Sequence, residues 1–179
     1  MQKKERVFLI IDGSNFYHRV KSFRFKKDLL EFDYSKFALW LVRHRTAVLK
    51  NYYIGVVRAN TNDQKAQTLR KNQQRLFAKL ALNKWKVARG YILRSGKEYH
   101  EKGVDVQMAV DILIGAYENM YDTIIVVSSD TDLIPALKKV RVMKKKIEYI
   151  GFSDKPSYAL ITHSDVRRLL TKEDMEQFF

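Results

Sequence analysis

The stretch TIIVVSSDTDLIPAL, residues 123–137, carries an unbroken apolar and β-branched run into two acids, Asp130 and Asp132, and then into a helical pattern. A strand with no polar alternation is covered on both faces, as in parallel sheets flanked by helices. Near the N-terminus VFLIIDGSN repeats the arrangement and ends its run in Asp12. Strand-like and helix-like segments alternate along the chain. RVFLII (6–11), NYYIGVV (51–57), KVARGYIL (86–93), TIIVVSS (123–129) and KIEYIGF (146–152) read as strands. Between them SNFYHRVK (14–21), residues 35–49 with Phe37, Leu41, His44 and Val48 on one face, 62–82, VDVQMAVDILIGAY (104–117) and TDLIPALKKVRVM (131–143) read as helices. Asn62 or Asp63 is the expected N-cap of the 62–82 helix. The pattern predicts a three-layer α/β/α domain, Rossmann-like, around a mainly parallel sheet of about five strands.

That architecture gives the acids an address. In open parallel α/β sheets the site lies outside the carboxyl ends of the strands, where strand order reverses. Asp12 follows the first strand, Asp130 and Asp132 follow the fourth, and Asp105 opens the helix after the third, so all four face one rim. Each acid alone is an ordinary helix cap or dipole partner. Capping requires one acid per helix, however, and here two crowd one turn. Neighbouring carboxylates repel and raise one another's pKa unless a cation or a base neutralises them. An oxygen-rich cluster suits Mg²⁺ or Mn²⁺. Such ions activate water and stabilise the displaced oxygen in phosphodiester cleavage, in two-ion sites about 4 Å apart.

The charge balance points the same way. The 179 residues hold 34 Lys+Arg against 20 Asp+Glu, a net charge of +14. A surplus of that size expects a polyanion, nucleic acid before an acidic membrane surface. The length fits one domain, 1–179, with no repeat or linker. Cysteine is absent, which removes disulfides and thiolate metal sites and fits the cytoplasm. No segment resembles a secretory leader or a membrane span, and no Gly-rich loop for a nucleotide or other organic cofactor occurs.

Three segments in this order, FLIIDGSNFY, KGVDVQMAVDIL and YDTIIVVSSDTDLIPAL, resemble the NYN domain of the PIN-like nuclease superfamily, the group that includes LabA-like proteins. The resemblance runs from about residue 6 to 170, where HSDVRRLL (163–170) is similar to the closing segment of the family. It implies a PIN-like α/β/α fold and a Mg²⁺- or Mn²⁺-dependent ribonuclease. By position it makes Asp12, Asp105, Asp130 and Asp132 the acidic metal site, and Asn15 the residue that positions a ligand water, phosphate or carboxylate. The family usually has Gly before the first acid of the last motif; this chain has Ser129, whose Cβ narrows the approach to the metal.

Other residues carry weaker signals. Ser14 and Asn15 are equally suited to capping the short helix. Asp111 lies about 240° round the helix from Asp105 and reads as structural, paired to a base. Ser128, Ser129 and Thr131 bring hydroxyls to the rim without a base at a spacing that would make a nucleophile. His18 and His100 are within plausible reach of the rim, although a solvated role suits them better, as it does His44 and His163.

From Gln64 to Lys97 there are ten Lys/Arg and no acid. Lys65, Arg70, Lys71, Arg75, Lys79, Arg94 and Lys97 are the candidate nucleic-acid contacts, with Lys71, Arg75 and Lys79 in one row beside Leu69, Leu76 and Leu80. Like charges at i, i+4 destabilise a helix, so an unrelieved row expects phosphates. Tyr91 and Tyr99 are candidates to stack on bases, and Trp85 for the core. KKVRVMKKK (138–146) either extends this track or is a solvated helix end.

Together these features predict a metal-dependent hydrolase of RNA, single-stranded by preference, with homo-oligomerisation left open. Two other acid-after-strand enzyme classes fit poorly. A Toprim-type domain needs Glu after its first strand, and a haloacid-dehalogenase phosphatase needs a second Asp where Ser14 stands. The strongest rival is an RNA-binding module of the same fold whose acids serve stability.

Overall fold

The computed structural model describes residues 4–56, 64–95 and 98–179. Six strands, β1 (Arg6–Asp12), β2 (Thr46–Ile54), β3 (Lys86–Arg89), β6 (Thr123–Val127), β7 (Lys146–Phe152) and β8 (Val166–Leu170), form one parallel sheet in the order β3-β2-β1-β6-β7-β8. Two further strands, β4 (Tyr91–Ser95) and β5 (Glu98–Lys102), pair antiparallel as a separate hairpin.

The unbroken apolar runs sit where their composition requires. In β1, Val7, Leu9 and Ile11 enter one core while Phe8 and Ile10 enter the other. In β6, Ile125 and Val127 join the first core, and Ile124 and Val126 the second. The first core is covered by α1 (Gly13–Ser22), α2 (Tyr34–Val42) and α3 (Gln64–Leu82) through Phe16, Phe37, Leu41, Leu76 and Leu80. The second is covered by α4 (Val104–Tyr117), α5 (Ile134–Val142) and α6 (Tyr158–Thr162) through Met108, Ile112, Leu137, Val140 and Leu160. A short α7 (Lys172–Glu176) and the residues after it seal the first core with Met175 and Phe178.

The chain winds outward from β1 to β3, returns to β6 beside β1, and winds the other way to β8. The reversal between β1 and β6 is the switch point at which α/β sheets open a crevice.

Three sequence-level boundaries move. The helix expected over 35–49 stops at Val42; Arg43, at φ 56, turns the chain, and β2 begins at Thr46. Along β2, exposure alternates from Thr46 to Leu49, so His44 and Val48 are not on a helix face. The strand expected over 86–93 divides at Gly90 into β3 and β4. The sixth sheet strand, β8, has the sequence VRRLL, whose arginines mask a strand pattern. Arg168 enters the sheet because its guanidinium donates to the Leu41 carbonyl at 2.7 Å and to Glu148 at 3.3 Å. The caps expected at Asn62 or Asp63 lie outside the described residues.

Candidate metal centre

Asp12 ends β1 and caps α1. Its side chain is only 6% exposed, its Oδ1 accepts from the Asn15 backbone N–H at 3.0 Å, and its Oδ2 accepts from Ser128 Oγ at 2.9 Å. Ser128, the first residue beyond β6, also accepts from the Asp130 backbone N–H at 3.0 Å, so one hydroxyl braces both acids. Asp130 in turn caps the short 3-10 turn Thr131–Leu133, accepting from the Asp132 N–H at 2.9 Å. Asp105 stands in the first turn of α4, which Gly103 opens at φ 86, a backbone state glycine adopts without strain.

Carboxylate oxygens of Asp12, Asp105 and Asp130 all lie within 4.8 Å of one another. They line an open cleft of about 990 Å³ whose facing walls are α1, with Ser14, Asn15 and His18, and the N-terminal half of α4. Burial first, and then the neighbouring carboxylates, push the pKa of Asp105 up; burial chiefly, with a contribution from Asp130, does the same to Asp12. The hydrogen bonds from Asn15 and Ser128 pull Asp12 back towards its ordinary value.

Capping and clustering are therefore not alternatives. Asp12 and Asp130 each cap a helical turn with one oxygen and still contribute to the group. Among the described residues no Lys or Arg forms an ion pair with any of the three. The donor set is all oxygen and anionic, which fits a hard divalent cation and no soft metal.

Asp132 is exposed and its carboxylate is not one of the three; it acts on Asp105 only through space. Asn15 lines the cleft, half-buried. Asp111 is structural, and its partners among the described residues are neutral: Tyr53 Oη donates to it at 2.7 Å and Gln107 Nε2 at 2.7 Å. Ser128 as a brace and Gln107 on the cleft wall carry no sequence signal, because their roles depend on which strands become neighbours.

Of the candidate cations on α3, Arg70, Lys71 and Arg75 are exposed. Lys79 is half-buried, its ammonium donating to the Leu30 carbonyl at 2.7 Å, so the row is free only in part. Leu69 is exposed while Leu76 and Leu80 are core, and Trp85 is buried. The side chains of Lys65, Tyr91, Arg94, Tyr99 and His100, and the whole of Lys97, lie outside the described residues. The 138–146 cluster lies on and after α5, on the opposite face of the sheet from α3, and so does not continue its row.

No helix among the described residues is long and apolar enough to cross a membrane. A crystal structure of a protein of unknown function from Vibrio parahaemolyticus matches with a TM-score of 0.71 at 21% identity, over 95% of this chain and 96% of that one, which establishes a common fold. No curated protein matches the sequence. The NYN domain model matches residues 6–169, a span that contains all of the sheet but the last residue of β8 and every acid of the cluster. A PIN-like sheet with its acids gathered at the switch point, over a sequence that fits this model nearly end to end, places the chain in the NYN domain family.

Proposed function

We propose that this protein is a Mg²⁺- or Mn²⁺-dependent ribonuclease that hydrolyses phosphodiester bonds of single-stranded RNA in the cytoplasm. The observation that carries the reading is the convergence of the Asp12, Asp105 and Asp130 carboxylates at the switch point, with no neutralising base among the described residues. These three side chains would hold the cation, with Asp132 at the outer rim. A divalent ion bound there lowers the pKa of water and offsets charge that develops on phosphate.

The protein's own groups set the stage. Asp12 is held in one rotamer by two hydrogen bonds, so its free lone pairs are aimed before any ligand arrives. Asn15, on the α1 wall beside Asp12 and across the cleft from α4, would contact the phosphate. The cations of α3 hold the backbone of the chain to be cut, without reading its bases.

The test is cleavage of a labelled single-stranded RNA with Mn²⁺, with Mg²⁺, and with EDTA. Metal-dependent cleavage by wild type and its loss in Asp12→Asn support the proposal. RNA binding with no cleavage under any metal would replace it with a non-hydrolytic RNA-binding domain.

A further inference from the structure

From Val104 to Leu137 the chain has six acids and no Lys or Arg, although its net charge is +14. That run builds α4, β6 and the start of α5, and two of its acids, Asp105 and Asp130, line the cleft on the wall made by the N-terminal half of α4 and the turn after β6. A polyanion is repelled there and must reach the acids across the other wall, which is α1.

The exposed face of α1 is Ser14, Tyr17, His18 and Lys21, spaced i, i+3, i+4 and i+7. Ser14 and His18 line the cleft. Tyr17 is 43% exposed, its ring edge-on to His18 at 5.4 Å, with the Lys21 ammonium 5.5 Å from its centre. Beyond α1 the chain continues as FRFKK, residues 23–27. Phe23 packs on Phe152 at 5.9 Å and Phe25 on Phe179 at 4.7 Å, which pins the loop to the first core. Arg24, turned by its φ of 55, is exposed, as are Lys26 and Lys27. Rings inward and cations outward make a fixed row rather than a loose tail. The nearby acids Asp28, Glu31 and Asp154 accept from the Leu30 N–H, the Asp28 N–H and the Ser22 hydroxyl. Lys79 of α3 bonds to Leu30, three residues past Lys27, so this row is continuous with the basic side of α3.

We infer that α1 and the 21–27 loop form the track along which single-stranded RNA enters the acidic cleft. Tyr17 stacks on an unpaired base at the cleft mouth, and Lys21, Arg24, Lys26 and Lys27 bind the phosphates that follow. The inference deepens the proposed ribonuclease reading and rests on it for the direction of the strand towards the acids.

The test measures binding of a short unstructured RNA oligonucleotide to the full chain in EDTA by fluorescence anisotropy, so that cleavage plays no part. A K21E/R24E/K26E variant is compared with K139E/K144E/K146E, which makes the same charge change at exposed positions on and beyond α5. The first should lose more than about tenfold in affinity and flatten the salt dependence by about 0.7 in log–log slope for each phosphate no longer neutralised. The second should lose less than about threefold. Tyr17→Ala should weaken binding roughly tenfold, and Tyr17→Phe should bind as wild type does, because the ring is what stacks. Thermal melting checks that each variant folds. Equal losses in the two triple variants would overturn the track, since only net charge would then matter. Unchanged RNA affinity in K21E/R24E/K26E, with phosphatidylserine vesicles bound by wild type and released by that variant, would overturn it in favour of a membrane surface. A wild type that binds through α1 yet never cuts RNA with Mn²⁺ retires the nuclease reading and leaves the track standing.

Discussion

The Ser129 hydroxyl donates to the side-chain oxygen of Asn15 across 2.7 Å, tying the chain just beyond β6 to the first turn of α1. An Arg19 guanidinium N–H reaches the same hydroxyl at 3.5 Å. Guanidinium only donates, so the serine proton is directed to Asn15, and the Asn15 N–H₂ is left for the cleft. The side chain that stands where the family usually has Gly thus orients a hydrogen-bond donor.

Removing that hydroxyl should therefore be felt in substrate binding before chemistry. Ser129→Ala is expected to raise KM for RNA about fivefold, the equivalent of one net hydrogen bond of about 1 kcal/mol, with kcat little changed. Ser129→Thr should restore it. Steady-state kinetics with Mn²⁺ checks the split, and a fall confined to kcat would contradict the role.

Asp130→Asn removes one charge from the cluster and keeps a cap acceptor for the Asp132 N–H. The metal-free variant is expected to melt at the same temperature as wild type or higher, because Asp12 and Asp105 lose a repelling neighbour. Added Mn²⁺ should raise the wild-type Tm by mass action and the variant's much less. Cleavage should disappear. An Asp130→Asn protein that cuts RNA at the wild-type rate would sink the metal-site reading.

The raised pKa values of Asp12 and Asp105 set a pH dependence with a definite sign. The folded state binds more protons than the unfolded one between the ordinary carboxylate pKa near 4 and the raised values. Their contribution to metal-free stability is complete below that window and falls as pH rises through it. Asp122 runs the other way: hydrogen bonds from Arg6 hold it down to about 2, and its contribution is lost as pH falls towards that value. Urea denaturation in EDTA across this range should show a smaller decline in Asp105→Asn than in wild type. Identical profiles would mean that Asp105 carries no electrostatic strain.

On α3, Lys71 and Arg75 are exposed and Lys79 is engaged with Leu30. Lys71→Glu with Arg75→Glu should weaken binding of all single-stranded RNA sequences alike and reduce the salt slope by about 0.7 for each phosphate that the pair had neutralised. Lys79→Glu should cost stability as well, measured as a lower Tm. Binding unchanged at moderate salt in the double variant would exclude this face.

Gly13→Ala places a methyl group against the ring of buried Tyr52 and 2.7 Å from the Tyr53 carbonyl oxygen. Backbone there cannot yield, so a loss of about 1–3 kcal/mol is expected in urea denaturation. Because Asp12 is the adjacent residue, metal-induced stabilisation should fall as well. A variant as stable as wild type would show that β2 has room to move.

How much of this was legible in the chain follows from how local each feature is. The strands β1, β6 and β7 and both ends of α4 were readable because apolar period and run length are properties of neighbouring residues. So was the position of Asp12 and Asp130 just after strands, and with it the candidate rim. Strand β8 was not, since Arg168 is acceptable in a sheet only when Glu148 and the Leu41 carbonyl are beside it. Nor was the start of β2, where one residue with positive φ ends a helix that the apolar spacing would continue. Which acids meet was decided by the sheet order. Ser128 bridges to Asp12 across 116 positions of sequence, and Asp105 joins them because α4 covers the face where β6 lies beside β1. Asp132, two residues from Asp130, points elsewhere because the 3-10 turn that holds it rotates it to solvent. Local sequence dictates elements through propensity and period, whereas convergence of charge depends on long-range packing that brings distant ends of strands together.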